Sequence, residues 1–160
     1  MDTLKVTARG EREIVITRRF QAPRALVYEA MTRPELLSRW MNGPPGWSTI
    51  ACENDVRVGG AFRHAWRGPD DVAMAMHGTY REVSAPERLV RTETFDTGCA
   101  PQAGEQVATL VLTEAAGGAA TALEIVVHYP SKEARDAALA SGMEHGMDAG
   151  YRVLDGILAT

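Results

Sequence analysis

Only two cysteines, Cys52 and Cys99, occur in 160 residues, far apart and outside any CxxC or Cys/His spacing, so neither a zinc site nor a thioredoxin-like pair can be built on them. Both read as idle thiols of a reducing compartment. No window approaches the ~18 consecutive apolar residues of a membrane span, and the opening MDTLKVTARGEREIV is polar where a secretory signal would be apolar, so a cytoplasmic location is expected. Lys and Arg number 17 against 21 Asp and Glu, a net charge of -4, with no block of five or six like charges. That removes the clustered cations on which non-specific nucleic-acid binding depends. GxSxG, HExxH, P-loop and dinucleotide fingerprints are all missing, and Gly59-Gly60 has the wrong spacing for a phosphate cradle. No metal site and no cofactor are expected.

What remains is an ordinary globular composition, 45% hydrophobic and 24% charged. The length predicts one domain over 1–160, with 1–10 flexible, and a core large enough to hold an internal pocket. In the segment EREIVITRRF, Ile14, Ile16 and Arg18 alternate with Val15, Thr17 and Arg19, which predicts a strand. Pro23 then opens a short helix, Thr32-Arg33-Pro34 interrupts it, and Glu35 to Trp40 reads as a second one. After the turn segment NGPPGW come short β-rich runs near 47–54, 61–67, 73–83, 88–95, 107–114 and 121–129, separated by turn signals. Short connections of this kind describe an antiparallel meander.

Past Pro130, Ser131 is suited to cap a helix that the periodicity carries as one element to about residue 158. Leu139, Met143, Met147, Tyr151, Leu154 and Leu158 form its apolar stripe, which must lie on a sheet face. Gly142, Gly146 and Gly150 fall at i, i+4 and i+8, one file along that helix, and each costs roughly 0.8–1 kcal/mol against alanine. Two explanations stand open: the glycines let other elements approach the helix backbone, or they leave space for a ligand. Met143, Met147, Met74 and Met76 are adaptable gap-fillers, in a plain core or around a variable apolar guest. In AFRHAWR, alternation places Phe62, His64 and Trp66 on the inward face and Arg63, Ala65 and Arg67 on the other, so His64 is a satisfied core residue or a polar anchor in an apolar pocket.

The segments APRALVYEAMTRPELLSRWMNGP, VGGAFRHAWRGPD, HGTYREVSAPERLVRTETF and SGMEHGMDAGYRVLDGIL resemble the AHSA-type (activator of heat-shock ATPase homologue) family of the START-like SRPBCC superfamily, from about residue 12 to 158. The resemblance implies an α+β helix-grip fold: a curved antiparallel sheet around a long C-terminal helix, with two short N-terminal helices and a cavity that in many relatives binds hydrophobic molecules. On this likeness the pocket would draw on Trp40, Phe62, His64, Trp66, Met76, Tyr80, Gly142, Met143, Gly146 and Met147. Two departures bear on it. The family's Trp-Trp-Gly-Pro turn is here Trp40-Met41-Asn42-Gly43-Pro44, and its Gly-Trp pair on the last helix is Gly146-Met147.

The expected function is non-catalytic binding of a hydrophobic or aromatic small molecule. Two alternatives are a polyketide cyclase-like or hydrolase-like enzyme using His64 and Tyr80 as acid–base groups, and a stress-related co-chaperone-like protein with a chaperone partner. Uncovered sheet edges would allow a homodimer, which composition does not decide.

Overall fold

Ile14, Ile16 and Phe20 alternate with more exposed neighbours and are shut off from solvent, so the strand β2 (Glu13–Phe20) turns one face to a core. The computed structural model describes residues 2–43, 45–97 and 104–159. Around β2 it sets β1 (Lys5–Arg9), β3 (Ser48–Asn54), β4 (Ala61–Arg67), β5 (Ala73–Ser84), β6 (Arg88–Thr97), β7 (Gln106–Ala115) and β8 (Ala120–His128). The eight strands form one antiparallel sheet in the order β1-β2-β8-β7-β6-β5-β4-β3. The expected meander therefore runs unbroken from β3 to β8, and β8 closes on the N-terminal hairpin with Ile16 opposite Ile125. The turn expected between β6 and β7, with Cys99, lies outside the described residues.

Helices α1 (Arg24–Thr32) and α2 (Pro34–Trp40) fill the link from β2 to β3, and α3 (Lys132–Ala140) and α4 (Met143–Leu158) follow β8. Val27, Ala30 and Met31 of α1, Leu37 and Trp40 of α2 and Tyr151 and Leu154 of α4 bury their apolar sides against the sheet with Ile14, Phe20, Leu112 and Leu123. This is the helix-grip arrangement. Arg18, buried on the inward face of β2, fixes α4 through a bidentate pair with Asp155 at 2.6 Å to each carboxylate oxygen, its guanidinium 4.8 Å from the Phe20 ring.

Two expectations need correction. The segment expected to be flexible contains β1, paired with β2 from Lys5–Thr17 to Arg9–Glu13. As an edge strand with all but one side chain exposed it carries no alternation to read. The second correction is the C-terminal helix, which is not continuous. Ser131 caps α3 as expected, accepting from the Ala134 backbone N–H at 3.0 Å, but α3 ends at Ala140 and Gly142 adopts φ +83°, the left-handed conformation that ends helices and that glycine tolerates best. Gly142 is thus a break between two helices rather than a member of a file. The break lets α3 follow the N-terminal hairpin, where Arg135 donates to the Gly10 and Glu13 carbonyls at 3.0 and 3.1 Å, while α4 runs along the core. Gly150 is a matter of close approach: a Cβ there would sit 3.0 Å from the Trp40 carbonyl oxygen and 3.5 Å from its ring, so the missing side chain is what lets α2 meet α4.

Candidate functional site

The sheet and the ends of α1 and α2 line a partly open cavity of about 90 Å³, to which α4 contributes Tyr151. Its apolar wall comes from Met31, Leu37, Trp40, Phe62, Met76, Leu89, Ala108, Leu110 and Ile125. That volume is smaller than the ~150 Å³ cavity known to admit benzene, so a ring would fit only if flexible wall residues gave way. Met31, Met41 and Met76 are suited to that, being unbranched and free to change rotamer.

Polar groups reach the same space from four strands, β3 to β6. Asn54, at the end of β3, donates to the Thr32 carbonyl of α1 at 2.7 Å, and its side-chain oxygen accepts from the Tyr80 hydroxyl at 2.6 Å. The Gly59-Gly60 turn holds Tyr80 in place by exchanging two backbone hydrogen bonds of 2.9 Å with it, which is turn chemistry and not a phosphate cradle. From β6, Arg91 lays its guanidinium 3.9 Å from the Phe62 ring centre and bonds Glu93 at 3.0 Å, while Gln106 supports the other Glu93 oxygen at 2.9 Å. Burial works to lower the Arg91 guanidinium pKa, but Glu93 and Tyr80 outweigh it and hold the group above its ordinary value.

His64 is 3% exposed, and its ring lies 4.4 Å from that of Trp66. Its Nε2 is 3.0 Å from the Met41 carbonyl oxygen and 2.9 Å from Thr49 Oγ1. A carbonyl can only accept, so the proton is assigned to Nε2. Nδ1 is then a bare lone pair, and it is buried with no hydrogen-bond partner. Burial drives the ring's pKa down to about 4; the Met41 carbonyl opposes that shift and Arg91 adds to it. The Met41 carbonyl also accepts from Trp66 Nε1 at 2.8 Å and from the Thr49 hydroxyl at 3.0 Å, tying the end of α2 to β3 and β4.

Cys52 faces His64 across the β3–β4 pair and also lines the cavity. Burial raises its thiol, whereas a nucleophilic cysteine needs the opposite shift. His64 spends its Nε2–H, and Tyr80 its hydroxyl proton, on other partners. The histidine–carboxylate pairs, His77 with Asp96 at 3.0 Å and His128 with Glu13 at 3.7 Å, are well exposed to solvent. Among the described residues no group of three or more His, Cys, Asp or Glu side chains is placed to hold a metal, and no helix is long and apolar enough to cross a membrane.

Of the residues singled out from the sequence, Trp40, Phe62, His64, Met76 and Tyr80 line the cavity. Trp66 stands behind His64 and serves as its stacking partner. Met143 and Met147 pack half-buried against the main core, Gly146 sits half-buried in α4, and Gly142 is exposed at the helix break. Met143 and Met147 are not among the residues lining this cavity, to which α4 contributes Tyr151. Arg91, Glu93 and Asn54 were not foreseen. The only signal for the first two is that they share the inward face of β6 with Leu89, where charges are not expected unless paired.

Solved structures share this architecture across nearly the whole chain. A Rhodobacter sphaeroides protein is 33% identical, with a TM-score of 0.88 over 98% of this chain and 99% of its own. A Mycobacterium smegmatis protein is 24% identical, with a TM-score of 0.80 over 96% and 97%. The AHSA1 protein of Silicibacter pomeroyi is 15% identical, with a TM-score of 0.71 over 92% and 97%. No curated protein matches significantly. With residues 21–159 matching the family described as Activator of Hsp90 ATPase homolog 1-like protein, from α1 to the end of α4 around this cavity, the chain belongs to the AHSA1 family of the helix-grip, SRPBCC-type fold.

Proposed function

We propose that the protein binds a small hydrophobic or aromatic molecule in the cavity between its sheet and helices, without transforming it. The observation that carries this reading is a partly open, largely apolar space with a few fixed polar groups on its wall, the usual make-up of a small-molecule site. A fully satisfied core would leave neither the space nor the bare His64 nitrogen. The chemistry favours binding over catalysis: the imidazole is held neutral without a carboxylate partner, and Tyr80 is committed to Asn54.

The test is a thermal-shift screen of ring-sized compounds on the wild-type protein and on Ala108→Leu, which fills the cavity from β7. At a ligand concentration a hundred times Kd the native state gains about 2.7 kcal/mol, a rise of about 5–10 °C for a chain of this size. Wild type is expected to show that rise and folded Ala108→Leu to lose it. If no ring-sized compound stabilises wild type, or if the filled variant responds equally, the binding reading fails.

A further inference from the structure

Resting on that reading, we propose that His64 is the specificity-determining residue of the cavity, selecting aromatic guests that carry a hydrogen-bond donor, with a hydroxyarene as the simplest. The Nε2–H is occupied by the Met41 carbonyl and Thr49 Oγ1, and Nδ1 is buried without a donor. On the same wall Phe62 and Met76 cannot donate, the Tyr80 proton goes to Asn54, Arg91 bonds Glu93 and the Cys52 thiol is only a weak donor; none of them bonds Nδ1. A guest hydroxyl that reaches the buried Nδ1 as the surrounding side chains give way would supply the missing partner of that lone pair.

Charge narrows the class further. Arg91 acts electrostatically on His64 and reaches the same cavity, so it favours a guest oxygen with partial negative character. A full carboxylate is disfavoured twice: it cannot donate to Nδ1, and the Arg91 charge is already balanced by Glu93 at 3.0 Å. An ether such as anisole accepts but does not donate. A bare hydrocarbon leaves Nδ1 as it stands.

Phenol and toluene have the same number of heavy atoms and differ by hydroxyl against methyl, so the pair isolates the donor. In an apolar cavity the hydroxyl is penalised by desolvation, and the hydrocarbon binds better. Here the lone pair should offset that penalty. The experiment measures Kd for both probes by calorimetry in wild type and in His64→Phe, which keeps a ring against Trp66 while the Met41 carbonyl keeps Trp66 and Thr49 as donors. The preference for phenol over toluene is expected to fall about tenfold or more in the variant.

A second readout needs only wild type. With nitrogen-15 in the histidine rings, the His64 Nδ1 resonance should move on adding phenol and stay in place on adding toluene. Equal binding of both probes with Nδ1 unmoved overturns donor selection and leaves cavity binding standing. An unchanged preference in folded His64→Phe also overturns it. If neither probe binds wild type this inference falls, and the binding reading falls with it when no other ring-sized compound in the thermal-shift screen stabilises the protein.

Discussion

Mild acid should destabilise this fold largely through one buried ring. In the unfolded chain the His64 imidazole takes up its proton near the ordinary value of about 6.5, whereas the folded protein resists protonation down to about 4 because the ring is buried against Trp66 and the Arg91 charge opposes a second cation. Between those two values the unfolded state binds more protons, so stability rises with pH across the window and is lost as pH falls through it. That gap corresponds to roughly 3 kcal/mol once both states are protonated, most of it lost between pH 7.5 and 4.5. The assay is urea unfolding of wild type and His64→Phe at those two pH values. Every other group is common to both proteins, so the difference between the two pH-dependent losses isolates the ring. Wild type is expected to lose roughly 2–3 kcal/mol more than the variant. Equal losses would show that the imidazole titrates as it does in water, and the argument from its burial and bare nitrogen would fall.

Other perturbations test other parts of the fold. Gly142→Ala should lower stability by about 1–2 kcal/mol because φ is +83° there, even though a Cβ would have open space; a gain of about 1 kcal/mol would instead indicate one continuous helix. Gly156→Ala, inside α4 with nothing near its Cβ, should raise stability by about 1 kcal/mol in thermal unfolding, and a loss would contradict the helix placement. Asp155→Ala leaves the Arg18 guanidinium, its side chain 2% exposed, without its counter-charge and should cost about 2–3 kcal/mol in urea unfolding. The double variant Arg18→Met, Asp155→Ala should recover much of that, and a strictly additive second loss would refute the pairing argument.

Much of this architecture was legible because its signals are local. The alternation of Ile14, Ile16 and Phe20, the prolines opening α1 and α2, the Ser131 cap and the turn residues between strands each act over a few residues. Phe62, His64 and Trp66 were readable as one inward face for the same reason. What escaped was set by contacts distant in sequence. Gly142, Gly146 and Gly150 have helical spacing, and only Arg135 on the N-terminal hairpin and Arg18 on Asp155 dictate that the chain turns at the first of them. Lys5–Arg9 shows no pattern because an exposed edge strand has no buried face to encode. Arg91 and Glu93 look like surface charges until Gln106 and Phe62 are brought beside them, and the role of the Met41 carbonyl is invisible in any side-chain pattern. The wall of the cavity was thus half readable: its strand aromatics were, while its ionic pair, Asn54 and Tyr151 as the contribution of α4 depended on the assembled fold.

The claim that a guest occupies the space between sheet and helices is tested most directly by methionine methyl resonances. Seven methionines occur in the chain, of which Met31, Met41 and Met76 line the cavity and Met143 and Met147 pack on the main core. On titration with phenol, carbon-13 methyl signals of Met31, Met41 and Met76 are expected to shift together along one saturating curve while those of Met143 and Met147 hold still. Shifts confined to Met143 and Met147, or none at saturating phenol, would contradict the account.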